Sequence, residues 1–243
     1  MNLYAENDYY EVLAADNHDD WLKLRQSGIG GSEVASILGL NPYMNNQELW
    51  SYKVGLAQRE DISDKPYVKY GHDAEPHLRN LFALDYPRFD VQYIDNVVLS
   101  NRTYPFIRYS PDGLLYDKKT GLKGIFECKT TNILQSMAKE KWNHKVPDNY
   151  YCQILQGLLV TGFDFVVLRA QLNYNNAKMD FQTLDNEKGG YKQIRDYVFY
   201  RSDRQVSDDI QLLLNKEYVF YTHNVMKMIE PSLILPRPKH ELS

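Results

Sequence analysis

Two short stretches decide the fold of this chain: SPDGLL at residues 110–115 and GIFECK at residues 124–129. The second reads as a short apolar strand, in which successive side chains point to opposite faces. Glu127 and Lys129 therefore share one face, and Cys128 points to the other. The first reads as a turn, because proline presets φ and the Asp-Gly pair tolerates the bend that follows. A strand entering this turn and a strand leaving it are expected to lie side by side, which brings Asp112 close to Glu127 and Lys129.

Asp112, Glu127 and Lys129 together suit chemistry on phosphate esters. Two carboxylates offer the oxygen ligands that Mg²⁺ takes beside substrate phosphate and water, and the ion activates a bound water and polarises the phosphoryl group. A lysine beside them can orient or deprotonate the attacking water, or offset charge in the transition state. Pro-Asp-Gly alone is also typical of a hairpin turn, and Glu-x-Lys alone is typical of a solvated strand.

Composition favours one globular domain over residues 1–243, because 43% of the residues are hydrophobic and 25% are charged. The net charge of −4 is unlike that of a protein that passively coats DNA. The charge is uneven: residues 1–20 carry six acidic side chains and no Lys or Arg, and we expect them to form an acidic arm or lead-in element. Residues 102–145 carry nine basic side chains against four acidic ones, which suits a phosphate substrate but also a lysine-rich solvated hairpin.

Cysteine content and hydropathy exclude several classes of protein. Cys128 and Cys152 are the two cysteines, and their spacing indicates neither a disulfide framework nor a zinc site. The acidic first residues lack the pattern of a signal peptide, and no apolar run approaches the length of a membrane span. We therefore expect a soluble, cytoplasmic protein.

A glycine-rich loop at residues 28–31 follows a short helix that begins near Trp21. Ser32 is a good N-cap for a helix over residues 33–38, and Gly39 is a plausible stop. Glycine-rich backbone before a helix is a generic anion site, although a tight turn between two helices would look the same. Arg25 and Ser32 flank the loop, and both are able to reach one phosphate.

The remaining elements are predicted from periodicity and from turn residues. Helices are expected from Asn46 to about residue 54, from Glu75-Pro76 with Pro76 in the first turn or at a kink, over 131–142, from Tyr150, and over most of 191–229 before a proline-containing tail. Strands are expected over 91–99, 104–109 and 163–172, with a further pairing from Met179 to Phe181.

Three side chains in these elements have two interpretations each. Glu75 is either a helix-start acid favoured by the helix dipole or a catalytic carboxylate. Gln153 and Gln156 share one face of the helix from Tyr150, and they are either its polar side or buried amides that need partners.

The ordered set of motifs resembles the PD-(D/E)XK nuclease superfamily, and within it the YqaJ-like viral recombinase and lambda exonuclease group. The matching pieces span residues 21 to about 170 and are WLKLR at 21–25, GIGGSE at 28–33, GHDAEP at 71–76, SPDG at 110–113, ECK at 127–129 and Gln153. The family often shows Gln-x-Gln on the later helix, whereas the second glutamine here is Gln156. Two cysteines exclude the iron–sulfur variant of the superfamily, which needs four.

The resemblance implies an α/β fold with a restriction-endonuclease-like core, in which helices flank a mixed central β-sheet. It implies that the protein hydrolyses DNA with the help of two Mg²⁺ ions, for which Mn²⁺ can substitute. The implied metal ligands are Asp112, Glu127, Glu75 and the backbone carbonyl of Cys128. The implied catalytic residues are these carboxylates together with Lys129 and Gln153. The residues implied to bind the 5′-phosphate are Arg25, Ser32 and Gly31.

The resemblance also implies partners and a setting. The expected substrate is a double-stranded DNA end, degraded 5′-to-3′ during phage-type recombination. The expected partners are a single-strand annealing protein and further copies of the chain, as in a ring-shaped trimer. The source is expected to be a phage or prophage in a bacterial host cell. An endonuclease of restriction or repair type, or a non-catalytic DNA-binding subunit on the same core, are the alternatives.

Overall fold

The structure is a computed structural model that describes residues 2–132, 142–174 and 191–235. Its strands are β1 (Tyr10–Ala14), β2 (Phe89–Gln92), β3 (Val97–Asn101), β4 (Arg108–Tyr109), β5 (Gly113–Asp117), β6 (Lys123–Asn132), β7 (Phe165–Tyr174) and β8 (Tyr191–Tyr200). Its helices are α1 (His18–Gln26), α2 (Val34–Ile37), α3 (Asn46–Lys53), α4 (Pro66–Asp85), α5 (Asp148–Thr161) and α6 (Arg204–Val219), which continues into a π-helical turn (Phe220–Val225). None of these helices combines the length and the apolar character that a membrane crossing requires.

The strands form two sheets. The smaller sheet has the order β1-β3-β4 and is antiparallel throughout. The larger sheet has the order β2-β5-β6-β7-β8, and within it only β6 and β7 run parallel. A parallel pair needs a long crossover connection, and α5 lies in the connection between these two strands. This architecture confirms the predicted α/β fold with a mixed sheet flanked by helices.

Helices cover both faces of the larger sheet. On one face, Ala74, Leu78 and Phe82 of α4 pack in a cluster with Phe126 and Cys128 of β6. On the other face, the buried side of α5 packs with Ile125, in a core that also contains residues of the smaller sheet. Side chains of β6 thus alternate between the two faces, and Cys128 packs on the face of α4, as the sequence predicted.

The turn at Ser110–Asp112 joins two sheets rather than the two strands of one hairpin. The expected strand over 104–109 is reduced to Arg108 and Tyr109, which pair with β3 in the smaller sheet. The strand that leaves the turn is β5, and it pairs antiparallel with β6. Pro111 has no N–H to offer a ladder, so the chain can leave one sheet there and enter the other. The predicted side-by-side pairing of the entering and leaving strands was therefore wrong.

Residues 2–20 are not an arm. Leu3, Tyr4 and Tyr10 are buried, and the Tyr10 hydroxyl donates to the Leu3 carbonyl oxygen at 2.5 Å. β1 then completes the smaller sheet by pairing with β3. Because Glu6 and Asp8 lie between Tyr4 and Tyr10, the acidic charge of the segment concealed its buried apolar side chains.

Residues 191–200 form a strand where the sequence predicted a helix. β8 pairs antiparallel with the whole of β7, from Tyr191 opposite Tyr174 to Tyr200 opposite Phe165. The segment is rich in aromatic and β-branched residues, and the hydrogen-bonding edge of β7 decides in favour of a strand. The later part of the helical region predicted over 191–229 is confirmed by α6.

Three other boundaries differ from prediction. α4 begins at Pro66, so Pro76 lies inside the helix and Glu75 is not a helix-start acid. The strand predicted over 91–99 is split, because β2 and β3 belong to different sheets and Asn96 between them has a φ of 55°. Residues 131 and 132 end β6 instead of starting a helix. Residues 133–141 of that expected helix, the pairing expected at 179–181 and residues 236–243 lie outside the described residues.

A buried polar contact joins α5, α6 and the glycine-rich loop. Gln156 is fully buried, and its amide nitrogen donates to the Ile29 carbonyl oxygen at 3.1 Å and to Glu217 Oε1 at 3.0 Å. Burial raises the pKa of the Glu217 carboxyl to about 8, and the nearby charge of Glu33 adds to the rise. Gln156 is thus a structural residue with partners, which answers the question that its sequence position left open.

The Glu217 carboxyl makes stability depend on pH. Its folded pKa of about 8 exceeds the ordinary value of 4.5, so the folded state binds the proton more tightly, and stability is lost as pH rises from 4.5 to 8. We expect Glu217→Gln to abolish this loss, which amounts to about 1.4 kcal/mol for each unit of raised pKa. Urea unfolding at pH 5 and pH 8.5 measures it, with Glu230→Gln at an exposed carboxyl as the control. Parallel pH profiles of Glu217→Gln and the unchanged chain would contradict it.

Candidate active site

Glu127 lies at the centre of the site, fully buried on β6. Its carboxylate accepts a hydrogen bond from the Tyr109 hydroxyl at Oε2. Lys129 Nζ and Gln153 Nε2 both donate to Oε1, each at 2.5 Å. These donors come from β4, β6 and α5, so three elements of the fold hold one carboxylate. The sequence missed Tyr109, because nothing in its local pattern shows that its hydroxyl turns towards β6.

Asp112 reaches the same place from the turn before β5. The ladder pairs Gly113 with Phe126, and continuing it by one residue sets Asp112 opposite Glu127. Asp112 Oδ2 accepts the backbone N–H of Cys128 at 2.8 Å, and its own carbonyl oxygen accepts from Arg79 Nη1 at 2.5 Å. The predicted proximity of Asp112 to Glu127 and Lys129 therefore holds, although it arises from the β5–β6 pair.

The carboxylates repel one another. Burial raises the pKa of Glu127 to about 7, the Asp112 charge adds to the rise, and the Lys129 ammonium opposes it. Burial and the Asp112 charge likewise raise the pKa of Glu75 to about 7. Burial alone would lower the pKa of Lys129, but Glu127 and Asp112 outweigh it and raise that pKa, which keeps the ammonium charged. An additional cation would relieve the repulsion among the carboxylates.

Among the described residues, no group of three or more His, Cys, Asp or Glu side chains is arranged to hold a metal ion. Mg²⁺ does not need such a cage, since it binds through one or two carboxylates plus substrate phosphate and water. The Asp112–Glu127 pair fits that requirement. Glu75 stands on α4 with its side chain 31% exposed and His72 Nδ1 3.9 Å from its Oε1, so it suits contact through water.

A small cavity adjoins the carboxylates. Tyr109 and Gln153, which contact Glu127, also line this cavity. The same cavity is also lined by Arg25, Gly31, Ser32 and Ser110. The structure thus brings the three residues predicted to bind phosphate together with Gln153, and it adds a hydroxyl from the turn.

Two side chains give this cavity its binding character. Arg25 Nη2 lies 3.5 Å from Ser32 Oγ, and its guanidinium carbon stacks 4.6 Å from the centre of the Trp21 ring. Ser110 Oγ is buried and has no hydrogen-bond partner among the described residues. A buried hydroxyl without a partner is costly unless a ligand or water satisfies it. From the sequence, Ser110 was predicted only to be part of the turn, and its position at the cavity was not predicted.

The glycine-rich loop is held by main-chain contacts. Ile29 forms a parallel bridge with Ile107, in which its N–H donates to the Phe106 carbonyl oxygen at 2.6 Å and its carbonyl accepts from Arg108 N–H at 3.0 Å. A Cβ at Gly28 would lie 2.6 Å from the same carbonyl oxygen, so no larger residue fits there. The loop therefore extends the edge of the smaller sheet beside β4.

A buried ion pair supports this loop from beneath. Lys53 Nζ lies 2.8 Å from Glu33 Oε2 and donates to the Gly28 carbonyl oxygen at 2.6 Å. Glu33 Oε2 in turn accepts the Gly30 N–H at 2.9 Å. The N-cap residue of the short α2 is Glu33, and its side chain makes no capping hydrogen bond. The predicted capping role of Ser32 was therefore wrong, and Ser32 lines the small cavity instead. The sequence missed Lys53 because it lies 25 residues from the carbonyl it contacts.

A larger cleft of about 1200 Å³ opens on the other side of Gln153. Lys129, Gln153 and Ser32 line it, so it leads to the carboxylate pair. Its walls come from the first turns of α4 and α5, the end of β6, α3, and the segment before α3.

Residues 20–164 match the model of the YqaJ-like viral recombinase domain. Protein YqaJ of Bacillus subtilis (strain 168) is 31% identical over 159 residues, which are 64% of this chain and 47% of that protein. Protein D345L of African swine fever virus (isolate Tick/South Africa/Pretoriuskop Pr4/1996) is 28% identical over 165 residues, 59% of this chain and 45% of that protein. The chain spans less than half the length of these relatives.

The fold resembles that of an alkaline exonuclease from Laribacter hongkongensis, with a TM-score of 0.57 at 17% identity over 87% of this chain and 96% of that one. The same exonuclease in complex with dAMP gives a TM-score of 0.53 at 16% identity and the same coverage. The likeness extends beyond the matched residues, because it includes most of the chain. With a family model that covers more than half of its length, and with the motifs of that family gathered at one site, this chain belongs to the YqaJ-like viral recombinase family.

Proposed function

We propose that this chain is a Mg²⁺-dependent DNA exonuclease that degrades one strand of a linear duplex from its 5′ end and resects DNA ends in phage-type recombination. One observation carries the proposal: Asp112, the fully buried Glu127 and Lys129 adjoin a cavity lined by Arg25 and Ser110. The exonuclease structures of the same fold and the viral recombinase family support it.

The residues divide into roles by their contacts. Asp112, Glu127 and the backbone carbonyl of Cys128 would hold Mg²⁺ or Mn²⁺, with Glu75 acting through water and a second ion completing the site. The bound ions would lower the pKa of a water and polarise the scissile phosphoryl group. The Lys129 ammonium, 2.5 Å from Glu127, would orient the water and offset transition-state charge. Gln153 would keep Glu127 in place through its amide hydrogen bond.

The cavity would bind the terminal 5′-phosphate. Arg25 supplies a planar donor of the kind that suits phosphate oxygens, and Ser32 and Ser110 supply hydroxyls. Gly31 lets the backbone approach, since a Cβ there would lie 3.0 Å from Gln153 Cγ and 3.2 Å from Tyr109 Cδ2. A terminal phosphate held here would present the adjoining phosphodiester to Glu127 and Lys129, which favours an end over an internal site.

The proposal extends to partners and setting. Resection produces single-stranded DNA, so we propose an annealing protein as the partner that receives it. We also propose that further copies of the chain assemble around the duplex, as in a ring trimer, and that the protein acts in the cytoplasm of a bacterial host on behalf of a phage or prophage.

Hydrolysis of linear duplex DNA tests the proposed function directly. With Mg²⁺, we expect nucleotides to be released from linear duplex but closed circular DNA to stay intact. Lys129→Ala should slow release about 10²- to 10⁴-fold, because the transition state loses a positioned cation. Lys216→Ala on the exposed side of α6 is the matched control. Cleavage of closed circles would indicate an endonuclease, and full activity of Lys129→Ala would refute the assigned site.

Metal binding should show in stability as well as in activity. Mg²⁺ should raise the unfolding temperature of the unchanged chain, because a ligand that binds only the folded state stabilises it. Asp112→Asn should be at least as stable in EDTA, since it keeps an acceptor for the Cys128 N–H and removes one repelling charge, but should show no rise with Mg²⁺. Thermal unfolding with and without Mg²⁺ measures this, with Asp208→Asn as the control. An equal rise for Asp112→Asn would exclude it as a ligand.

Removal of the Arg25 guanidinium should weaken the preference for phosphorylated ends. We expect Arg25→Ala to lower the ratio of digestion rates on 5′-phosphorylated and 5′-hydroxyl duplexes by about tenfold or more, because a charge-assisted contact to phosphate is lost. Duplexes labelled separately at each end give both the ratio and the polarity. Arg204→Ala, at an exposed arginine, serves for comparison. Equal slowing on both substrates would argue against a role for Arg25 in binding the end.

A further inference from the structure

The larger cleft beside Lys129 has an aromatic lining that the proposed chemistry does not require. Tyr43 stands in the segment before α3, and Tyr67 and Tyr70 stand on the first turns of α4. Their exposed fractions are 84%, 61% and 36%. None of the three belongs to the hydrophobic core, so packing within the described part of the chain does not explain them.

Two of these rings are presented on one side of a helix. Tyr67 and Tyr70 are three residues apart on α4, a spacing that sets side chains next to one another on the same helix face. The Tyr70 hydroxyl donates to Gln171 Oε1 at 2.5 Å and accepts from Lys192 Nζ at 2.8 Å, so β7 and β8 hold that ring in place. The Lys192 ammonium also lies over this ring, 5.0 Å from its centre, so the opposite face is the one that remains for a ligand.

The charge of the cleft is nearly balanced. Its described lining includes the basic residues Arg59, Lys129 and Lys192 and the acidic residues Glu48 and Glu60. Lys129 is already paired with Glu127 at 2.5 Å, and Arg59 Nη1 lies 3.7 Å from Glu33 Oε1. Duplex DNA is bound mainly through arrays of Lys and Arg on phosphates, and this lining offers few of them.

Aromatic faces select a different form of nucleic acid. Bases within a duplex are stacked on their neighbours, whereas unpaired bases offer their faces to aromatic side chains, whatever their sequence. A cleft whose described lining is aromatic and offers few free cations therefore suits unpaired nucleotides, bound through their bases.

We propose that this cleft holds unpaired nucleotides of the strand being degraded, with their bases stacked on Tyr43, Tyr67 and Tyr70. The inference rests on the proposed function, because it is the position of Lys129 and Gln153 in the cleft wall that links the bound strand to hydrolysis. It adds that the bases, through the tyrosine rings of this cleft, supply the grip on the strand.

Binding without hydrolysis separates this inference from the nuclease activity. The full chain in EDTA is titrated with an oligothymidylate, with an abasic oligonucleotide of equal length, and with an oligonucleotide containing 2-aminopurine, whose fluorescence falls on stacking. We expect the oligothymidylate to bind at least about fivefold more tightly than the abasic one, because each stacked base contributes to affinity. We expect the salt dependence to correspond to about three or fewer phosphate contacts.

Ring substitutions then identify the side chains. Tyr43→Leu and Tyr67→Leu should each weaken oligothymidylate binding about fivefold or more and lessen the quenching of 2-aminopurine, whereas the corresponding changes to Phe should retain both. Tyr218→Leu, at an exposed tyrosine on α6, is the matched control. Circular dichroism checks the fold of every variant, and because Phe keeps the ring, rescue by Phe distinguishes stacking from a loss of folding.

The outcomes are distinct. Ring-dependent binding in a chain that fails to hydrolyse DNA would support the cleft as a single-strand site and refute the nuclease proposal. Hydrolysis of duplex ends with unchanged binding in both Leu variants would overturn the inference alone. Equal affinity for the abasic oligonucleotide would also overturn it, because phosphates rather than bases would then carry the binding.

Discussion

Burial of the Glu127 carboxylate is the constraint on which the rest of the site depends. An ionised carboxylate removed from water is tolerated only when charged or hydrogen-bonding partners replace the water. Here Tyr109, Lys129 and Gln153 are those partners, and they come from β4, β6 and α5. Two sheets and the crossover helix must therefore meet correctly for one side chain to be satisfied. The charge of Asp112 still repels the Glu127 carboxylate, and a bound cation would relieve that repulsion.

The change of sheet at Ser110–Asp112 gives the site its geometry. Tyr109 ends a strand of the smaller sheet and Gly113 begins a strand of the larger one, so the three residues between them cross the gap where the sheets meet. Asp112 is set opposite Glu127 by the β5–β6 ladder, and Ser110 lines the cavity beside Arg25. A turn within a single hairpin would have placed the carboxylate without bringing the hydroxyl and Tyr109 to it.

Residues that contact Glu127 line two spaces of different character: Tyr109 and Gln153 line the small cavity, and Lys129 and Gln153 line the larger cleft. The small cavity is lined by Arg25 and hydroxyls and suits a phosphate, while the cleft is lined by tyrosines and suits bases. Ser32 and Gln153 line both, so a strand whose terminal phosphate lies in the first space would pass Glu127 before its bases reach the second. On the proposed function, this order is what makes the enzyme act from an end. The Lys53–Glu33 pair and Gln156 hold the glycine-rich loop that lines the small cavity.

Local sequence was sufficient to predict the parts of the site that depend on a short period. Strand alternation set Glu127 and Lys129 on one face and Cys128 on the other, and the helix bearing Gln153 and the glycine-rich loop followed from patterns within a few residues. The α/β class followed instead from the resemblance of the ordered motifs to a known family. Tertiary structure alone decided the sheet change at Pro111, the strand nature of residues 191–200, and the contacts of Tyr109, Ser110 and Lys53. The physical reason is that strand pairing and buried hydrogen bonds join residues distant in sequence. Only the packed chain determines which strand edge is open for pairing. It also determines which buried polar group needs a hydrogen-bond partner.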